Sequence, residues 1–92
     1  MAFIFDPKKN RHNLKQHGIY LEEACKLWEF THVIIPAKNI SGESRKAIIG
    51  TIDRKIYVTI YAERDNDIRL ISCHRADKRW ERIYYEQTKE EN

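Results

Sequence analysis

The chain has 92 residues, of which 41% are hydrophobic and 34% charged, with a formal net charge of +3. This length suits one domain spanning residues 1–92, with a core over about 3–86, near the lower limit of what a core supports without staples. The charge excess is too small for a histone-like polycation, so any polyanion contact must come from a local patch, and no stretch reaches the roughly 20 apolar residues of a membrane helix.

Residues 2–5 read as a short strand, and their apolar run is too short and lacks the basic flank of a signal peptide, which leads to the expectation of a cytoplasmic protein. Asp6-Pro7 then opens a helix: Asp accepts from free N–H groups of the first turn, and Pro fits the first helical position. Gly18 stops this helix near His17. Leu14 is its only large apolar residue, so the helix should lie on the surface with Asn10, Leu14 and His17 on one side and Asn13 as a helix-side hydrogen bonder.

A second helix is expected over 20–29, where Leu21, Ala24, Cys25 and Trp28 fall at i, i+3, i+4 and i+7 and Glu22 and Glu23 occupy the first turn. Four strand signals follow, at 33–35 (ended by Pro36), 46–52, 55–62 and 68–73. In the third of these, Ile56, Val58 and Ile60 alternate with Tyr57, Thr59 and Tyr61, giving one aliphatic and one aromatic–polar face. Asp53-Arg54 and Asp65-Asn66-Asp67 are tight turns that imply antiparallel hairpins. A closing helix over 77–86 turns Ala76, Trp80, Ile83 and Tyr84 inward, and residues 87–92 read as a frayed tail. The order β-α-α-β-β-β-β-α, with hairpins instead of helical crossovers, predicts an α+β fold in which two N-terminal helices and one C-terminal helix pack on an antiparallel sheet.

An ordered set of short motifs carries a family resemblance. Phe5-Asp6-Pro7-Lys8-Lys9, Asn13-Leu14, His17-Gly18 and Glu22-Glu23-Ala24 are followed by Glu43 with Arg45, Gly50, the run Ile68-Arg69-Leu70-Ile71-Ser72, Ala76 and Tyr84. In this order and spacing, over residues 3–86, the chain resembles the BrnT toxins of type II toxin–antitoxin systems. The resemblance implies a RelE-like fold, metal-independent ribonuclease activity and growth arrest by the free protein. It also implies a BrnA-like ribbon-helix-helix antitoxin as partner, and a toxin–antitoxin complex, within which the toxin could be a homodimer, that binds its operator DNA. The chain departs from the family with Gln16 for a Lys, His74 for an Arg and Trp80 for an acid.

Cutting RNA without a metal requires a base for the 2′-OH proton, cations for the phosphorane and an acid for the leaving 5′-oxygen. Histidine titrates near neutrality and arginine offers a permanently charged fork of donors. The catalytic candidates are therefore Arg69, His74, Arg45, His17 and Arg79, leaving open which histidine is acid and which is base. Arg75, Arg79 and Arg82 at i, i+4 and i+7 should form one basic ridge, so that Arg75 and Arg82 contact RNA while Tyr57 and Tyr61 stack on its bases or pack in the sheet. Glu43 or Glu63 could instead hold Arg69 in a salt bridge. The alternative to an enzyme is a catalytically degenerate module that uses the same basic face, near residues 69–82, to bind antitoxin or nucleic acid.

No cofactor and no metal are expected. His12, His17, His32 and His74 include no i, i+4 pair, no HExxH motif is present, and the three glycines do not cluster into a phosphate loop. Cys25 and Cys73 lack metal or CxxC spacing and read as free buried thiols, although spacing alone leaves a disulfide open.

Overall fold

Two tight hairpins organise the second half of the chain. Asp53 and Arg54, and again Asp65 and Asn66, all take positive φ, the handedness that matches the twist of antiparallel strands joined by two residues. The computed structural model describes residues 1–40 and 42–89. Its elements are β1 (Phe3–Ile4), α1 (Pro7–His17), a 3-10 helix (Leu21–Trp28), β2 (His32–Ile40), β3 (Glu43–Ile52), β4 (Lys55–Arg64), β5 (Asp67–Arg75) and α2 (Lys78–Gln87).

The strands form one sheet in the order β1-β5-β4-β3-β2. Strands β2 to β5 are an antiparallel meander, as hairpins dictate, but β1 lies parallel to β5, so the sheet is mixed and not wholly antiparallel. No hairpin constrains β1, because both helices and the whole meander intervene before its partner. Its direction is fixed by long-range bonds, from Ile68 N to Ala2 O at 2.8 Å and from Ala2 N to Asp67 Oδ1 at 3.0 Å.

Both sheet faces are covered. On one, Leu21, Ala24 and Leu27 of the 3-10 helix are fully buried against Ile48, Tyr61, Leu70 and Cys73. Each buried leucine contributes about 1.5–3 kcal/mol. On the other face, Ala76, Trp80, Ile83 and Tyr84 cover Ala47, Ile49, Ile56 and Val58, so the predicted inner face of α2 is the observed one. The expected second α-helix is a 3-10 helix, whose three-residue turn puts Leu27 at i+6 on the buried ridge and leaves Cys25 and Trp28 half-buried. Gly50 permits this close approach: a Cβ there would meet Leu27 Cδ2 at 3.3 Å and His32 Cβ at 3.4 Å.

Other boundaries differ from expectation, among them the start of β3 at Glu43 and the end of β4 at Arg64. Strand β2 continues through Pro36 to Ile40, which an edge strand tolerates because one side of its backbone needs no partner. Arg75 belongs to β5, so the predicted three-arginine helical ridge reduces to Arg79 and Arg82 on α2. Gln87 closes α2, and Thr88 donates from Oγ1 to Tyr84 O at 2.7 Å, so the segment expected to fray begins inside a capped helix. Residues 90–92 of that tail lie outside the described residues. Both cysteines are free, and burial pushes the Cys73 thiol up to about 11.

Candidate active site on the outer edge of the sheet

Strand β1 pairs only with Ile68 and Arg69, which leaves the rest of β5 without a strand neighbour on its outer side among the described residues. Helix α1 fills that gap through one side chain. The Asn13 amide donates to Cys73 O at 2.8 Å and to Ile19 O at 2.9 Å, while its oxygen accepts from Cys73 N at 3.0 Å. It imitates a strand partner for Cys73 and is only 4% exposed. Asn10, one turn earlier, accepts from Leu21 N at 2.6 Å and donates to Glu22 Oε1 at 3.3 Å, tying α1 to the start of the 3-10 helix. Asp6 caps α1 by accepting from Lys8 N, and Gly18 ends it at φ 73.

This clamp fixes what lies next to it. His17 is four residues beyond Asn13 on the same helix face, and His74 follows Cys73 on β5. Their ring centroids are 5.6 Å apart with planes tilted by 44°. His74 Nδ1 lies 2.9 Å from Arg75 O; a carbonyl only accepts, so this bond puts the proton on Nδ1 and leaves Nε2 outward. Partial burial, then the neighbouring His74 and His12, hold the His17 pKa below the usual histidine value, favouring its neutral form. His17 is exposed and His74 half-buried, so both are within reach of a ligand.

The arginines do not join this pair. Paired residues share a sheet face, so the registers Ala62–Arg69, Val58–His74 and Ala37–Arg45 place all three side chains on the α2 face. Arg69 and His74 are five positions apart on β5, about 15 Å of backbone along a strand with one bulge. Arg69 Nη2 instead reaches both Glu43 oxygens, at 2.5 and 2.6 Å. Arg45 Nε donates to the same carboxylate at 3.4 Å and Arg64 Nη2 at 3.2 Å. The Arg69 bond first, and then the other guanidiniums, hold Glu43 below the usual carboxylate range despite some desolvation. Arg69 Nε is buried with no hydrogen-bond partner among the described residues. The salt-bridge reading of Arg69 is therefore the observed one, with three arginines sharing one acid.

The remaining candidates divide. Tyr61 is 2% exposed and packs edge-on against Trp28, so it cannot stack on RNA: the aromatic–polar face of β4 lies under the 3-10 helix. Tyr57 is half-buried at the strand end, with the Arg75 guanidinium 5.7 Å from its ring centre. Arg79 lies over the Trp80 ring at 5.2 Å, and both Arg79 and Arg82 are exposed. Among the described residues, no group of three or more His, Cys, Asp and Glu side chains is arranged to hold a metal.

Sequence reasoning missed the clamping role of Asn13 and the pairing of His17 with His74. The available signal was a buried-side asparagine in a helix with almost no apolar residues, which marks a helix docked by hydrogen bonds instead of a hydrophobic stripe.

No curated protein matches the chain. Over residues 5–79 it matches the family described as "Ribonuclease toxin, BrnT, of type II toxin-antitoxin system". That span takes in the clamp, the histidine pair and the Glu43 cluster, and the chain belongs to the BrnT family of type II toxin–antitoxin toxins.

Proposed function

We propose that this toxin is a metal-independent endoribonuclease with a RelE-like domain, and that His17 and His74 carry its proton transfers. The observation that supports this most directly is the pair of imidazoles, 5.6 Å apart, at an accessible strand end. With its depressed pKa, His17 is neutral near pH 7 and takes the 2′-OH proton. The 2′-oxygen attacks phosphorus, the bond to the 5′-oxygen breaks, and His74 in its protonated form donates to that oxygen. The products are a 2′,3′-cyclic phosphate and a free 5′-hydroxyl. Arg75, next along β5, turns to Tyr57 on the other sheet face from His74, so charge for the phosphorane comes from the basic surface around the pair and not from a guanidinium within it. Arg79 and Arg82 on α2 extend the basic surface, which a BrnA-like ribbon-helix-helix antitoxin would cover, the complex in turn binding operator DNA.

The test is incubation of the purified, folded toxin with RNA in the presence of a chelator. Cleavage that yields cyclic phosphate ends and falls at least a hundredfold in both His17→Ala and His74→Ala supports the proposal. Intact RNA, or cleavage unchanged in both variants, overturns it.

A second reading, a binding module without catalysis, is favoured by the Glu43 cluster, where an acid neutralises Arg69 five positions along β5 from His74. It predicts normal growth on expression without antitoxin, together with retained antitoxin binding.

A further inference from the structure

We propose that His17 and His74 form a two-histidine chelate for a divalent transition metal such as Zn²⁺, a site separate from any catalytic need for metal. The first support is distance. A Zn–N bond of about 2.0–2.1 Å places the metal roughly 3.2 Å from each imidazole centroid. Two centroids 5.6 Å apart then subtend about 120° at one shared ion, close to the trigonal value and somewhat wider than tetrahedral. A histidine pair twice as far apart could not share a metal at all.

The second support is the proton on His74. Histidines that bind metals commonly donate their other ring N–H to a backbone carbonyl, which fixes the tautomer and the ring orientation. The His74 Nδ1 bond to Arg75 O is that interaction, already made, and it leaves the Nε2 lone pair for an ion. The third support is rigidity. His17 sits on a helix fastened to β5 by Asn13, and His74 sits on the strand itself, so the two rings are held together before any ion arrives.

Chemistry narrows the ligand. Two neutral imidazoles suit Zn²⁺, Ni²⁺ and Cu²⁺ and have little to offer Mg²⁺ or Ca²⁺, which select oxygen donors. With no third His, Cys, Asp or Glu joining the pair among the described residues, the other positions fall to water. Lys15 on α1 and Arg75 on β5 are cations close by in the chain and only two side chains bind, so binding is reversible and weaker than at a closed four-ligand site. Linear spacing hides this site: His17 and His74 are 57 positions apart and only the clamp brings them together.

The experiment titrates ZnCl₂ into the intact toxin while following the imidazole resonances by NMR and the heat by calorimetry. The expected result is one ion per chain, with the His17 and His74 signals shifting together while those of His32 stay in place. His17→Gln and His74→Gln should each weaken binding at least tenfold, and Mg²⁺ should leave both signals unmoved. Unperturbed His17 and His74 signals at millimolar Zn²⁺, or unchanged affinity in both variants, would overturn the site. Blocking of RNA cleavage by Zn²⁺, in step with occupancy, rests on the proposed nuclease reading. The spectra decide the metal site whether or not RNA is cut, so the two can fail separately.

Discussion

Replacing Asn13 by leucine keeps its approximate volume but removes all three hydrogen bonds that dock α1. At a net value of about 1 kcal/mol each, the loss is roughly 3 kcal/mol. The Cys73 N–H and carbonyl, left without a partner at a nearly dry edge, push the figure upward, and water reaching that edge pulls it back. In a domain of this size, about 3 kcal/mol corresponds to a fall in Tm of roughly 12–24 °C. Asn13→Asp retains the acceptor for Cys73 N but sets a carboxylate oxygen against the Ile19 and Cys73 carbonyls at a buried position, and should melt at least as low as the leucine variant near neutral pH. The assay is thermal and urea unfolding followed by circular dichroism, with NMR titration of His17 as a second readout. Freed from the edge of β5, His17 loses its His74 neighbour and part of its desolvation, and its pKa rises toward the ordinary histidine value. A leucine variant that melts within about 3 °C of the parent, with His17 titrating unchanged, would refute the claim that this amide holds the pair together.

Further outcomes are expected at other positions. Because the folded-state pKa of Glu43 lies below its ordinary value, its contribution to stability is present above the usual carboxylate range and is lost as pH falls through the folded value; Glu43→Gln should flatten that part of the acid limb in unfolding curves recorded from pH 6 to pH 3. His17 also has a depressed pKa, so protonating it costs stability just below the ordinary histidine pKa, and His17→Gln should remove a shallow decline in stability there. With its thiol pushed up to about 11 and its side chain buried, Cys73 should resist a thiol reagent at pH 8 until the chain unfolds, whereas half-buried Cys25 should label in the native state; two thiols reacting at one rate would contradict this. Arg54 holds φ 69 in the β3–β4 turn, a conformation costing a side chain about 1–2 kcal/mol. Glycine there recovers most of that and gives back roughly half in unfolded-chain entropy, so Arg54→Gly should raise stability by about 0.5–1 kcal/mol, read as a higher urea midpoint.

Element types and their order were legible wherever a local rule operates. Asp6-Pro7 and Gly18 bound α1, two-residue turns set the meander, and the inward residues of α2 follow from its period. Reading failed where the period itself changed: Leu27 is buried because the second helix is 3-10, a consequence of its close approach to β3 over Gly50. It failed again for Tyr61, since alternation separates two strand faces but does not say that both are covered. Among the site candidates, residue chemistry named imidazole and guanidinium groups without showing how they would group.

The sequence by itself determined the strand and helix inventory, the supply of imidazole and guanidinium groups, and the family. Only the tertiary structure decided that histidines 57 positions apart stand side by side while Arg69 turns to Glu43. The physical reason is that caps, turns and periodicity act over a few residues, whereas the meeting of α1 with β5 depends on an unpaired strand edge and one amide able to satisfy it.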